Sequence, residues 1–370
     1  MTELEDKIRE AVHDDRWTLA AWPDPMPRIR REAARQRKRL AVVTAAVAAA
    51  AATPLALLPA VIGHGSGGIA ESPTATPSTH QSVQSWARHL PGEIAYKCGN
   101  YICLENPDGT ARRTLPGARF PQWDPAWSPG GHRLAYRGYY GMAEGDLAIY
   151  VADANGCHAR ELRATLGGVS PTWSPTGRQI AYAVGGINVI NADGTGPRRL
   201  TSDQAGTGHD QYADEEPAWS ATNRIAFVRT PMGSSNGQIY VMNADGSGVT
   251  AITHGGRDFE QPVWSPSGRQ IAFTATYGQP GTVIEVANAD GSGMHLVSPP
   301  QWMSYNPVWT PDGQVAFLVD SAKGTSIYIV SPDGTSLRRL PGSWPGVQYQ
   351  IEIAWGSSPL PRAPGPGGCT

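Results

Sequence analysis

The chain has 370 residues and a formal net charge of −2, so its overall charge gives no reason to expect nucleic acid as a partner. Its 43 Gly, 32 Pro, 12 Trp and 13 Tyr fit a turn-rich all-β protein and stay short of a low-complexity disordered chain. The four cysteines, Cys98, Cys103, Cys157 and Cys369, form no C-x-x-C pair, which argues against a structural zinc site.

Residues 2–12, "TELEDKIREAV", predict a short amphipathic helix with Thr2 and Glu5 at capping-box spacing. It could dock a cytoplasmic partner; a frayed helix beside a membrane is the simpler reading. Pro23, Pro25 and Pro27 end it, and a basic cluster from Arg28 to Arg39 follows. Leu40–Ile62 then runs 23 residues without a charge. As a helix it would rise roughly 34 Å, enough to cross a bilayer core of about 30 Å. Leader and apolar run are both too long for an ordinary signal peptide, whose core is about 7–15 residues. An uncleaved anchor is therefore the leading reading, with cleavage after "VIG" before His64 as the alternative and a buried soluble helix as a third. Basic residues ahead of the span place the N-terminus in the cytoplasm and the remainder outside. The expected organisation is 1–39 cytoplasmic, 40–62 transmembrane, 63–91 a flexible Gly/Ser/Thr/Pro linker, 92–356 a repeat domain and 357–370 a Pro/Gly-rich tail.

The repeat is marked by Trp127, Trp173, Trp219, Trp264, Trp309 and Trp355, spaced 46, 46, 45, 45 and 46 residues apart. Each unit has a strand ending in Trp, a turn such as "SPTG", a strand such as "QIAY", a variable loop, a third strand such as "IYVMNAD", and a fourth such as "RRLT". Asp-Gly turns tolerate the left-handed backbone of tight hairpins. Four strands per 45 residues cannot bury both sheet faces alone, but stacked radially each sheet covers the next. The domain opens at Gly92–Leu115 without a Trp strand and closes at Tyr349–Gly356 with only a Trp strand. The fragments complement each other, predicting an all-β, six-bladed propeller whose last strand completes its first blade.

The pattern P-x-W-S-P-x-G-x-x-I-A-Y/F … N-A-D-G … R-R-L resembles the WD40-like PD40 repeat of TolB and related propellers, over about 92–356. Four places depart from it: "SATNRIAF" after Trp219, "DANGCHAREL" at Asp153–Leu162, "WGSS" from Trp355, where the ring closes, and the N-terminal anchor. TolB instead carries its own N-terminal α/β domain and is soluble in the periplasm. The resemblance implies that the Trp strand is innermost and begins at the mouth of a central channel.

Enzymatic signals are weak. G-x-S-x-G at Gly233–Gly237 lies in a predicted hairpin rather than a strand-to-helix elbow. His132, His158, His209, His254 and His295 form no metal-ligand pattern, and the Asp-Gly turns have too few acids for calcium loops. No cofactor is expected. The residues three before each Trp are Asp124, Ser170, Glu216, Gln261, Asn306 and Glu352, all polar. With Asp214, Glu215 and Glu260 they predict a polar, partly acidic ring at the mouth, which would favour a basic peptide or protein. The plainer reading is that they keep the strand starts solvated. The expected function is a membrane-anchored extracytoplasmic propeller that binds a protein partner without catalysis. A metal-dependent lactonase-type hydrolase, using Glu216, Gln261, Asn306 and Glu352, is the alternative, and signalling through residues 1–39 a further one. A disulfide involving Cys98, Cys103, Cys157 or Cys369 is expected in an exported domain.

Overall fold

In the computed structural model, the described residues are 86–115, 121–139, 147–202, 211–277, 281–321, 324–341 and 353–356. The predicted N-terminal helix, the 40–62 span, most of the linker, Glu352 and the tail lie outside them. Among the described residues no helix is long and apolar enough to cross a membrane.

The described residues form six four-stranded antiparallel sheets. In five of them the chain runs outward from the Trp strand: Gln122–Trp127, Val169–Trp173, Tyr212–Trp219, Asp258–Trp264 and Met303–Trp309 open blades 2 to 6. In blade 1 the Trp strand comes from the other end of the chain. Ile353–Trp355 pairs with Ile94–Tyr96, followed by Tyr101–Glu105 and Arg113–Thr114. Each Trp strand touches the Trp strands of both neighbouring blades, and these contacts close a ring of six. The Trp strands are therefore innermost, as the resemblance implied, and the fold is the predicted six-bladed propeller.

The core lies between blades. One cluster joins Ile180 and Tyr182 of blade 3 to Ala135, Ile149 and Val151 of blade 2; another joins Phe273 of blade 5 to Val228 and Val241 of blade 4. The tryptophans sit in these seams. The Trp173, Trp264 and Trp309 indole N–H groups donate to Ala126, Ala218 and Val263 carbonyls of the preceding blade, at 3.0–3.1 Å. Trp219 differs: its indole donates to Asn223 of its own turn at 3.1 Å. In that "SATN" turn Asn223 takes the left-handed backbone, φ 62°, that Gly177 or Gly268 supplies elsewhere. This replaces the missing glycine, since Asn tolerates that conformation.

The outer strands of blades 3 to 5 have two residues each. A hydroxyl just beyond the strand extends the pairing: Thr201, Thr253 and Ser298 accept the N–H of Ile187, Ile239 and Ile284 at 2.8–2.9 Å. In blade 2 Thr165, on a short 3₁₀ turn, does this for Ile149. Short edges of this kind leave little unpaired backbone for another chain to join.

At the closure, Gly356 N–H donates to Glu93 O and the Trp355 indole to Pro91 O, both at 2.8 Å. Gly92 has φ 89°, and a Cβ there would collide with the Gly356 carbonyl oxygen. Gly92→Ala should therefore destabilise the protein by roughly 2–3 kcal/mol, through the left-handed backbone and the lost closure. Chemical denaturation would show this as a lowered midpoint.

The Asp-Gly turns are Asx turns. Asp193, Asp245, Asp290 and Asp333 each accept the backbone N–H and hydroxyl of the Thr or Ser two residues on. Those hydroxyl and amide bonds hold their carboxyls below the usual 3.8. A lowered carboxyl pKa contributes stability above the ordinary value, lost as pH falls through the lowered one. In an NMR titration the four carboxyls should show midpoints below 3.8, and Ser247→Ala should return Asp245 toward it.

Candidate functional site: the channel mouth and the loop face

Antiparallel order decides what shares a face. The Ser-Pro-x-Gly turns and the Asp-Gly turns fall on one end of the blades. The starts of the Trp strands, the hairpins between second and third strands, and the connections between blades fall on the other. The first end is repetitive and closed by its own hydrogen bonds. Ser128, Ser174, Ser220 and Ser265 hydroxyls accept backbone N–H groups across their turns at 2.9–3.0 Å. The second end carries the segments that differ between units, together with the predicted polar ring.

The ring residues have an unusual backbone. Asp124, Ser170, Glu216, Gln261 and Asn306 all have φ between 51° and 56°. Each sits in a β-bulge, where the register slips between Trp123 and Ala126, Val169 and Thr172, Glu215 and Ala218, Glu260 and Val263, and Tyr305 and Val308. A proline follows each of them: Pro125, Pro171, Pro217, Pro262 and Pro307. Proline disfavours a right-handed helical conformation in the residue before it. It also lacks an N–H, which suits the inner edge of a blade. Glycine would adopt the left-handed backbone more readily, so the polar side chains need a reason.

Hydrogen bonds across the seams supply one. Ser170 N–H donates to Asp124 Oδ2 at 3.0 Å, Gln261 N–H to Glu216 Oε2 at 2.7 Å, and Asn306 N–H to Gln261 Oε1 at 2.8 Å. Each of these side chains accepts the N–H of the same position one blade on. Thr274 Oγ1 also donates to Gln261 Oε1, at 2.8 Å. These bonds stitch blade 2 to 3, 4 to 5 and 5 to 6 at the mouth, a role that the repeat spacing did not reveal.

The acidic cluster is divided. Asp214 is 1% exposed, and its two carboxylate oxygens accept from Arg229 at 2.7 Å each. The Arg229 guanidinium lies 3.8 Å from the Tyr212 ring centroid and 4.9 Å from that of Tyr240. Asp124 is paired with Arg137 at 3.1 Å. Both arginines lie on second strands: Arg229 stands directly opposite Asp214, and Arg137 directly opposite Trp123. Sequence reading missed them because strand register, not spacing along the chain, makes these pairs. Glu215 and Glu216 are half-buried and Glu260 is buried. On the far side of the ring Trp123 has Lys97 Nζ 5.0 Å and Arg137 5.3 Å from its ring centroid.

The G-x-S-x-G run joins two antiparallel strands, Arg224–Pro231 and Gln238–Asn243, so it is a hairpin and not a nucleophile elbow. Among the described residues no group of three or more His, Cys, Asp or Glu could hold a metal ion. Cys98 and Cys103 form a disulfide, with Cα atoms 5.7 Å apart.

These features define a six-bladed β-propeller with a stitched channel mouth and one variable face. The chain belongs to the TolB β-propeller family: the family model of the TolB beta propeller domain, PD40, matches residues 95–358. TolB from Acinetobacter baumannii has a similar fold, with 20% identity over 72% of this chain and 66% of that one and a TM-score of 0.57. A putative TolB from Agrobacterium tumefaciens gives 19%, 73%, 99% and 0.53 in the same order. A chain of the nidogen/laminin complex gives 12%, 72%, 99% and 0.55. At these identities the likeness is one of fold.

Alanine at Glu216 or Gln261 should cost about 1–2 kcal/mol each, by leaving the next blade's N–H without its acceptor. Glu216→Gln keeps an acceptor and should recover most of that loss. Urea midpoints of the three variants would check this.

Proposed function

We propose that this protein is a non-enzymatic, membrane-tethered propeller that binds a protein or peptide partner outside the cytoplasm through its loop face. The observation that carries this reading is the segregation of the two faces. One end repeats and consumes its polar groups in its own turns. The other presents segments unlike one another on a rigid ring, the usual arrangement for recognition. Tyr101, Leu166 and Met232 are large apolar side chains exposed at 42–45%, and all three lie on the loop face. Tyr and Met are enriched at protein interfaces.

The disulfide and the 23-residue apolar run before the propeller support an oxidising, extracytoplasmic setting. Glu215, Glu216 and Glu260 at the mouth favour a basic segment in the partner. The hydrolase alternative would need Glu216, Gln261 and Asn306 to serve a reacting centre. The engagement of Glu216 and Gln261 across the blade seams favours the binding reading instead.

The test is site-directed photocrosslinking in intact cells. Probes at Tyr101 and Met232 should capture a partner that probes at Asp245 and Asp290, on the turn face, do not. Equal capture from both faces would defeat the proposal. With the partner in hand, Glu215→Lys combined with Glu260→Lys should weaken binding at least about tenfold at low salt, with a smaller effect at high salt.

A further inference from the structure

The described chain begins with Trp86–Leu90, ahead of the first blade strand. These residues form a single turn, with His89 N–H donating to Trp86 O and Leu90 N–H to Ala87 O, both at 3.2 Å. The sequence around them reads as linker. Ala87 is nevertheless 0% exposed. It belongs to one apolar cluster with Tyr96, Cys103 and Ile353 of blade 1 and Ile327, Ile329 and Leu340 of blade 6. Trp86 and Leu90 pack against the same cluster.

Polar contacts extend to both sides. The guanidinium of Arg338, on the outer strand of blade 6, lies 4.3 Å from the Trp86 ring centroid. Arg88 Nε lies 3.5 Å from Asp108 Oδ2, in the outer turn of blade 1. Five residues therefore reach both blades of the seam that joins the two ends of the chain.

That seam is closed by strands from distant parts of the chain. Of its closing strand, Ile353–Trp355 are the described residues, and they pair with Ile94–Tyr96. The Trp355 indole bonds to Pro91 O, just ahead of its own blade. Trp173, Trp264 and Trp309 instead reach across to the blade before them. A ring opens first where local stability is lowest.

We infer that Trp86–Leu90 is a second clasp of the ring, holding blade 6 to blade 1 from the outside while Ile353–Trp355 holds it from the inside. The propeller is thus closed by both ends of its chain. Whatever pulls on or displaces the N-terminal segment acts first on the seam between blades 6 and 1, and not on the loop face.

Hydrogen exchange read by mass spectrometry on the full chain tests this. Trp86→Ala should speed exchange of Ile94–Cys98 and Ile353–Gly356 about tenfold or more, by removing an aromatic packing contact and its cation–π partner. Exchange in blades 3 and 4 should stay as in the parent. Unchanged exchange at the seam, or equal acceleration in all six blades, would overturn the inference. If Trp86→Ala does not fold, Arg338→Ala and Arg88→Ala remove only the polar contacts. They should give a smaller acceleration confined to the same segments, and no localised acceleration in either would overturn it equally.

Discussion

Everything in this molecule depends on face-to-face packing between blades. A four-stranded sheet of 45 residues has two faces and too little chain to cover both. Each blade is therefore stable only against its neighbours, and the last must also meet the first. The apolar clusters accordingly run across seams, such as Phe273 of blade 5 against Val228 of blade 4. The inter-blade indole bonds of Trp173, Trp264 and Trp309 add direction to that packing, about 1 kcal/mol each in net terms.

The same constraint accounts for the mouth. Where the innermost strands converge, their inner edges carry backbone groups with no further strand to pair with. At Asp124, Glu216 and Gln261 the bulge, the proline and the polar side chain resolve this together. Proline removes a donor, the left-handed residue turns the strand, and its side chain accepts the next blade's N–H. A polar residue at these three positions supplies the acceptor that the neighbouring blade's N–H needs. The segments this requirement does not constrain are those that differ between units, on the loop face.

Closure is where the rule asks most, because the inner strand of blade 1, Ile353–Trp355, must find Ile94–Tyr96 from the other end of the repeat. Gly92, Glu93, Pro91 and Gly356 meet there in close backbone contact, and Trp86–Leu90 lies over the outside. The nearby Cys98–Cys103 bridge ties two strands of the same blade. Reinforcements therefore gather at the one blade assembled from two distant pieces of chain.

Blade number, strand order and the shared first blade are all legible along the chain. A tryptophan every 45 or 46 residues and complementary fragments at the two ends leave little else that buries both faces of every sheet. The sequence also pointed to the ring positions, since the repeats agree at Trp and diverge just before it. It could not show that Glu216 and Gln261 hold the neighbouring blade, because that bond joins residues 45 apart through a backbone conformation no composition reveals. Nor could it pair Asp214 with Arg229, since strand register makes that contact. Trp86–Leu90 was illegible for a related reason: five residues have no periodicity, and their burial exists only once blades 1 and 6 have come together. Local turn chemistry and period are written along the chain, whereas contacts between blades exist only once the ring has closed.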